Sequence, residues 1–134
     1  ERAERRLADD ALAARMYEIG LEAFLQEWTA LPLFGGLQLT DEQLADRLRN
    51  TVDGLASSLR MAGTGAQGSL WPRLMELNMP VLAIAGELDH KFAAIAGQIV
   101  EAVPEGAVLL VPGAAHAAHL QAPEVVAAAI ATAS

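Results

Sequence analysis

The sequence predicts an α/β fold in which a helical first part precedes two parallel strands. Two short, fully apolar runs, at 81–85 and 107–111, have the length and composition of buried strands. The residues 91–103 between them can form a helix, and strands joined by such a crossover pair in parallel. Residues 1–78 instead repeat apolar side chains at helical spacing. These observations divide the chain into a helical region, 1–78, and an α/β region, 79–134.

Amphipathic periodicity predicts the first helices. Apolar side chains recur every three or four positions over 5–19 and again over 21–28. Thr40 followed three residues later by Gln43 is a capping box, which predicts the start of a third helix. The apolar pattern carries this helix to about residue 60.

Turn-forming residues predict the remaining boundaries. A glycine-rich loop spans 61–68, and Ser69 is expected to cap a short helix with Pro72 in its first turn. Pro123 opens a last, alanine-rich helix.

Composition and charge exclude several classes of protein. Because 53% of the residues are hydrophobic, the chain can bury a core and is not intrinsically disordered. A net charge of −8 argues against a nucleic-acid partner, since no basic excess is available to neutralise phosphates. The absence of cysteine fits a reducing compartment, and we expect the cytoplasm. No apolar run is long enough for a transmembrane helix, so no membrane partner is expected.

Polar side chains follow both predicted strands. Asp89 lies on the loop after the first strand, and His116 follows the second in a turn of small residues. We expect the two side chains to lie close together, because the carboxyl ends of parallel strands meet at one edge of a sheet. A carboxylate there can fix the tautomer of an imidazole and stabilise its protonated form. The pair is therefore predicted to be catalytic, although Asp89 taken alone is equally consistent with a helix cap.

The order of acid and then histidine on successive strands is that of the Ser…Asp…His triad of α/β-hydrolases. The sequence holds no Gly-x-Ser-x-Gly motif, and none of its serines follows a predicted strand. We therefore expect the serine of any such triad to lie outside these residues.

No metal or cofactor is expected. His119 follows His116 by three residues, but no cysteine and no second histidine cluster would complete a metal site. His90 is predicted to be a solvated loop residue.

Two predicted strands, apolar on both faces, do not make a stable sheet by themselves, because their edges and faces stay uncovered. The first residues contain no Met and no apolar, signal-like core. We expect the chain to be part of a larger fold, whose missing strands lie upstream or on a second copy of the chain.

Four segments together resemble the MenH family of the α/β-hydrolase superfamily. They are residues 86–92 around Asp89, residues 112–120 around His116, and the helical stretches 24–34 and 54–71. Members of this family are 2-succinyl-6-hydroxy-2,4-cyclohexadiene-1-carboxylate synthases of menaquinone biosynthesis. The resemblance spans essentially the whole sequence. It implies the C-terminal portion of an α/β-hydrolase fold, with a helical cap followed by the last two parallel strands and their helices.

The resemblance also implies a function. Enzymes of this family are lyases that eliminate pyruvate from a succinyl-enolpyruvyl-hydroxycyclohexene-carboxylate, a small anionic substrate, without a cofactor. Asp89 and His116 match the triad acid and base. Trp28 and Arg49 match substrate-pocket positions of the cap, and Lys91 and Phe92 belong to the motif after the acid and are further candidates for substrate contact.

Two positions depart from the family pattern. Ala115 stands where the family usually has glycine, and Gln121 stands where it usually has glutamate. Two alternatives stay open: another α/β-hydrolase, such as an esterase or a C–C bond hydrolase, or an inactive fragment that is stable only by self-association. Without a nucleophile, the chain alone is expected to be inactive.

Overall fold

The structure, a computed structural model, describes residues 2–133. These residues pack as two units. The helical unit comprises the described residues up to Ala30 together with Gln38–Ser69, and the sheet unit comprises Leu31–Leu37 together with the described residues from Leu70 onward. From the sequence we expected a boundary between a cap, residues 1–78, and a core, residues 79–134. These two regions are defined by function rather than by packing, so that boundary stays a prediction.

Four helices of the helical unit match the predicted amphipathic stretches, with one correction given below. They are α1 (Arg2–Ile19), α2 (Leu21–Thr29), α3 (Asp41–Leu48) and α4 (Val52–Ala62). Helix α1 packs on both α2 and α4. Ala13 of α1 and Ala56 of α4 are fully buried, because small side chains let helix backbones approach closely.

Polar contacts join the same helices at the surface. The guanidinium of Arg15 on α1 donates to both carboxylate oxygens of Glu27 on α2, at 3.2 and 2.7 Å. These hydrogen bonds hold the pKa of Glu27 below its usual range. The Tyr17 hydroxyl of α1 donates to Oδ1 of Asp53 on α4 at 2.7 Å.

The predicted third helix is confirmed at its start and wrong in its length. The Thr40 hydroxyl accepts a hydrogen bond from the Gln43 backbone at 3.2 Å, and the Gln43 side chain accepts one from the Thr40 backbone at 3.0 Å. The helix does not run on to residue 60, because Thr51 has an extended backbone and its hydroxyl caps a new helix by accepting from the Gly54 N–H at 3.0 Å.

The sheet unit contains a parallel pair of strands, as predicted. Its elements are β1 (Val81–Gly86), α5 (His90–Ala102), β2 (Gly106–Val111), α6 (Ala118–Gln121) and α7 (Pro123–Thr132). The register runs from Val81 opposite Gly106 to Gly86 opposite Val111. A small apolar core lies between the sheet and the last helices, formed by Val111, Ala114 and Ala118 with Ile84, Leu109, Ala122 and Val126.

Two further expectations are wrong. Ser69 does not cap a helix, since the residues Trp71–Glu76 form a 3₁₀ helix whose N-cap is Leu70 and which has no side-chain cap; Pro72 does lie in its first turn. Strand β2 is not buried on both faces, since Val108 and Leu110 are 41% and 42% exposed. These alternate residues lie on one face of the sheet, and that face is only partly covered by the described residues.

None of the helices in the described part of the chain combines the length and the apolar character that crossing a membrane requires.

Candidate active site

The turns that follow β1 and β2 bring an acid and a histidine together. His116 Nδ1 lies 2.6 Å from Asp89 Oδ2, a short hydrogen bond between groups 27 positions apart. The Asp89 side chain is 4% exposed and that of His116 is 34% exposed. A buried carboxylate thus contacts an imidazole that is itself within reach of solvent or a ligand.

Asp89 has two structural roles at once. Its Oδ2 contacts His116, and its Oδ1 accepts a hydrogen bond from the Phe92 N–H at 3.3 Å, which caps α5. The amino end of a helix is a favourable place for a negative charge. The cap and the imidazole partner, which the sequence left as alternatives, are therefore compatible, because each uses a different oxygen.

Hydrogen bonds from backbone N–H groups connect the two turns. The Gly113 N–H donates to Oε2 of Glu87 at 3.0 Å, and the Leu88 N–H donates to the Ala114 carbonyl at 2.9 Å. A side chain on Gly86 would collide with the carbonyl oxygens of the histidine turn, so only glycine permits this approach. The distance between Asp89 and the histidine is consequently set by the backbone as well as by their own hydrogen bond.

Two aromatic rings flank the imidazole. The Phe92 ring lies 4.6 Å from that of His116 and is tilted by 53°, and the Phe34 ring lies 5.9 Å from the imidazole in a T-shaped arrangement. Lys91 is exposed, and its Nζ lies 5.6 Å from the centre of the Phe92 ring. Phe34 was missed as a site residue. Its contact spans 82 positions, and no local pattern in the sequence predicts it.

The other predicted substrate contacts, Trp28 and Arg49, lie in the helical unit. The Trp28 ring stacks on Phe24, with 6.0 Å between ring centres. Arg49 follows the last residue of α3, and its exposed guanidinium lies 3.6 Å from Asp46. Their roles, and those of Lys91 and Phe92, stay predictions.

The remaining histidines are both exposed. His90 is exposed at the first position of α5, rather than in a loop, and His119 is exposed in α6. Within residues 2–133 no group of three acidic or histidine side chains could hold a metal ion.

Comparison with known proteins identifies relatives over nearly the whole chain. A protein of Bacillus subtilis (strain 168), provisionally named 2-succinyl-6-hydroxy-2,4-cyclohexadiene-1-carboxylate synthase, is 42% identical over 128 residues, which cover 92% of this chain and 47% of that protein. The synthase of the same name from Salmonella newport (strain SL254) is 32% identical over 124 residues, with 91% and 47% covered. No protein-family model matches the chain.

Solved structures give the same result. MenH from S. aureus superposes with a TM-score of 0.88 and 36% identity, over 98% of this chain and 51% of that one. A proline iminopeptidase from Mycobacterium smegmatis superposes with a TM-score of 0.63 at 24% identity, which indicates a shared fold and no more. The chain spans about half the length of the relatives it matches, and that half is the C-terminal one. The predicted partial α/β-hydrolase fold is confirmed.

Proposed function

We propose, from the correspondence of this chain to the C-terminal half of the MenH-type α/β-hydrolases, that it carries the acid and base of a lyase of menaquinone biosynthesis. The single observation that supports this most strongly is the 2.6 Å contact between His116 Nδ1 and Asp89 Oδ2 at the carboxyl ends of two parallel strands. The proposed reaction releases pyruvate from a succinyl-enolpyruvyl-hydroxycyclohexene-carboxylate. We further propose that the enzyme acts in the cytoplasm, because a sequence without cysteine fits a reducing compartment.

His116 would act as the proton carrier. With its Nδ1–H donated to Asp89, the imidazole presents Nε2 as the free base. Nε2 accepts the proton of a serine hydroxyl, and the resulting alkoxide removes a proton from the ring carbon of the substrate. The ring double bonds shift, the C–O bond to the enolpyruvyl group breaks, and pyruvate leaves as its enolate. The imidazolium then gives its proton to the departing pyruvate enolate, so that both the serine, reprotonated by the substrate, and the imidazole end as they began.

Asp89 would hold the imidazole in the productive tautomer throughout this cycle. It also lies opposite the positive charge that forms on the ring when Nε2 is protonated. Its second oxygen is fixed by the Phe92 N–H, so the carboxylate cannot easily turn away.

The serine and the donors for the enolate are proposed to come from the part of the fold that the matched relatives have and that this chain does not cover. We propose Arg49 and Trp28 as contacts for the anionic substrate, and Lys91 and Phe92 as further contacts beside the imidazole. An exposed guanidinium, such as that of Arg49, can bind a carboxylate through two hydrogen bonds.

The test is pyruvate release by the protein expressed from its complete reading frame. We expect His116→Ala to lower kcat by about a thousandfold or more, because the serine loses its base. The matched control is His119→Ala, which removes an exposed imidazole three residues away and should leave the rate unchanged. Equal activity of His116→Ala and wild type would refute the proposal.

The same assay separates the alternatives. Turnover of simple esters without pyruvate release would favour an esterase, and cleavage of a carbon–carbon bond in a diketone substrate would favour a C–C hydrolase. A complete reading frame that encodes no nucleophile, together with a stable dimer in solution, would favour the inactive, self-associating fragment.

A further inference from the structure

The segment Leu31–Leu37 lies between α2 and α3 in the sequence but belongs to the sheet unit. The helices on either side of it belong to the other unit. Contacts within the sheet unit therefore have to explain why the segment lies there. Several of these contacts are made with the turn that carries His116.

Two contacts reach the histidine itself. The His116 backbone N–H donates to the Leu33 carbonyl at 3.3 Å. The Phe34 ring and the imidazole form an edge-to-face pair, with 5.9 Å between centres and 67° between planes. An edge-to-face arrangement of this kind favours one ring orientation over others. The segment thus contacts both the backbone and the side chain of one residue.

A third contact lies one residue earlier in the histidine turn. Gly35 has φ +56°, and a Cβ built on it would lie 2.8 Å from the Cβ of Ala115. The Ala115 N–H donates to Oε1 of the Gln121 side chain at 2.8 Å, which ties this turn to α6. Because the turn cannot move away freely, the gap between Gly35 and Ala115 accepts one methyl group and not two.

The segment has internal structure of its own. Pro32 opens a short 3₁₀ turn, in which the Phe34 N–H donates to the Leu31 carbonyl and the Gly35 N–H to that of Pro32, each at 3.0 Å. The Leu37 N–H then donates to the Phe34 carbonyl at 3.1 Å. A turn closed by successive hydrogen bonds can resist displacement in a way that an open loop cannot.

We propose that Leu31–Leu37 is a positioning segment for His116: the Leu33 carbonyl fixes its backbone and the Phe34 ring fixes the orientation of the imidazole, so that Nδ1 stays on Asp89. The use of that orientation in proton transfer rests on the function proposed above. The orientation itself can be measured without turnover, so failure of one proposal is distinguishable from failure of the other.

The experiment follows the imidazole by NMR in protein expressed from its complete reading frame with ¹⁵N-labelled histidine. The spectrum of His116→Gln assigns the His116 signals. In the wild type we expect a single neutral tautomer with the proton on Nδ1. In Phe34→Leu and Phe34→Ala we expect the second tautomer to appear, because the ring then samples orientations that leave Asp89. Leu31→Ala is the control, since it removes an exposed side chain from the same segment and keeps its backbone bonds.

A glycine pair tests the backbone contact. Gly35→Ala and Gly36→Ala place the same methyl group at positive φ, but only the first meets Ala115, and nothing lies within 4 Å of the second. We expect Gly35→Ala to accelerate exchange of the His116 amide about fivefold or more, the ratio that the loss of one hydrogen bond of about 1 kcal/mol implies. Gly36→Ala should leave that exchange unchanged. The double variant Gly35→Ala/Ala115→Gly restores the single methyl, and it should bring exchange back to the Gly36→Ala rate.

Wild-type tautomer and amide exchange in both Phe34→Ala and Gly35→Ala would overturn the proposal. So would equal effects of the two glycine variants, since strain at positive φ alone would then account for them. If Gly35→Ala does not fold, the Phe34 variants and the double variant decide the question.

Discussion

Asp89 shows how one residue can satisfy two demands that a sequence presents as alternatives. Its two carboxylate oxygens serve different partners, the Phe92 N–H and His116 Nδ1. Asparagine retains one oxygen that can cap the helix, but its other polar group is an NH2 donor and the side chain carries no charge. Substitutions at position 89 can therefore separate the stability of α5 from the chemistry of the imidazole.

We predict that Asp89→Asn in the complete enzyme lowers kcat by about 10³–10⁴-fold while the free energy of unfolding changes by less than about 1 kcal/mol. The loss arises because an amide can favour the wrong imidazole tautomer. Steady-state pyruvate release and urea unfolding measure the two quantities. Asp10→Asn, at an exposed carboxylate of α1, serves as the control, and a similar loss of rate in both variants would contradict the prediction.

Tyr17 gives a second residue-scale prediction, for pH. The hydrogen bond from its hydroxyl to Asp53 raises the pKa of Tyr17 above the ordinary value of 10.0, and partial desolvation acts in the same direction. A raised pKa means that this stabilisation is complete below about pH 10 and is lost as the pH rises through the pKa of the folded state. Tyr17 is the sole tyrosine in these 134 residues, so tyrosinate absorbance of this chain reports it directly.

Asp53→Asn should move the midpoint of that titration down toward 10, whereas Asp46→Asn should leave it in place. An unchanged midpoint in Asp53→Asn would show that the carboxylate is not the cause.

At the scale of elements, β1 and the histidine turn approach each other because Gly86 has no side chain. We predict that Gly86→Ala destabilises the fold by about 1–3 kcal/mol, since its methyl group would collide with two backbone carbonyls that cannot rotate away. Gly97→Ala is the matched control, in the interior of α5 with open space around it. It should stabilise by about 0.5–1 kcal/mol, because alanine loses less backbone entropy in a helix.

Thermal or urea unfolding of the two variants gives opposite signs if this interpretation is right. Destabilisation of similar size in both would mean that the contact at Gly86 is not the cause.

Elements whose causes are local were predictable from the sequence. The apolar runs of β1 and β2, the Thr40 capping box and the helix after Pro123 each follow from neighbouring residues. The break at Thr51 was missed because the apolar face of the helix continues in register on both sides of it. The sequence pattern that indicates a new helix cap, a threonine three residues before Gly54, is weaker than that apolar pattern. Leu33, Phe34 and Gly35 contact the histidine turn across about 80 positions, and nothing local in the sequence encodes such a contact.

For the whole molecule, the comparisons and the site lead to one prediction about activity. The chain expressed alone should release no pyruvate, because no serine among residues 2–133 follows a strand. Co-expression with the N-terminal half of a MenH-type relative, as a separate chain, should restore release through pairing at the strand edges that are unpaired within residues 2–133. Full activity of the 134-residue chain by itself would contradict this.

The acid, the base and the crossover helix between them occupy one unbroken stretch, from Val81 to His116. A recombination point in the connection just before β1 would therefore transfer Asp89 and His116 together from one related protein to another. On the function proposed above, such chimeras would combine the candidate substrate contacts Trp28 and Arg49 of one parent with the Asp89 and His116 of the other. Their main incompatibility would lie at positions 35 and 115, where the two parents must together contribute no more than one methyl group.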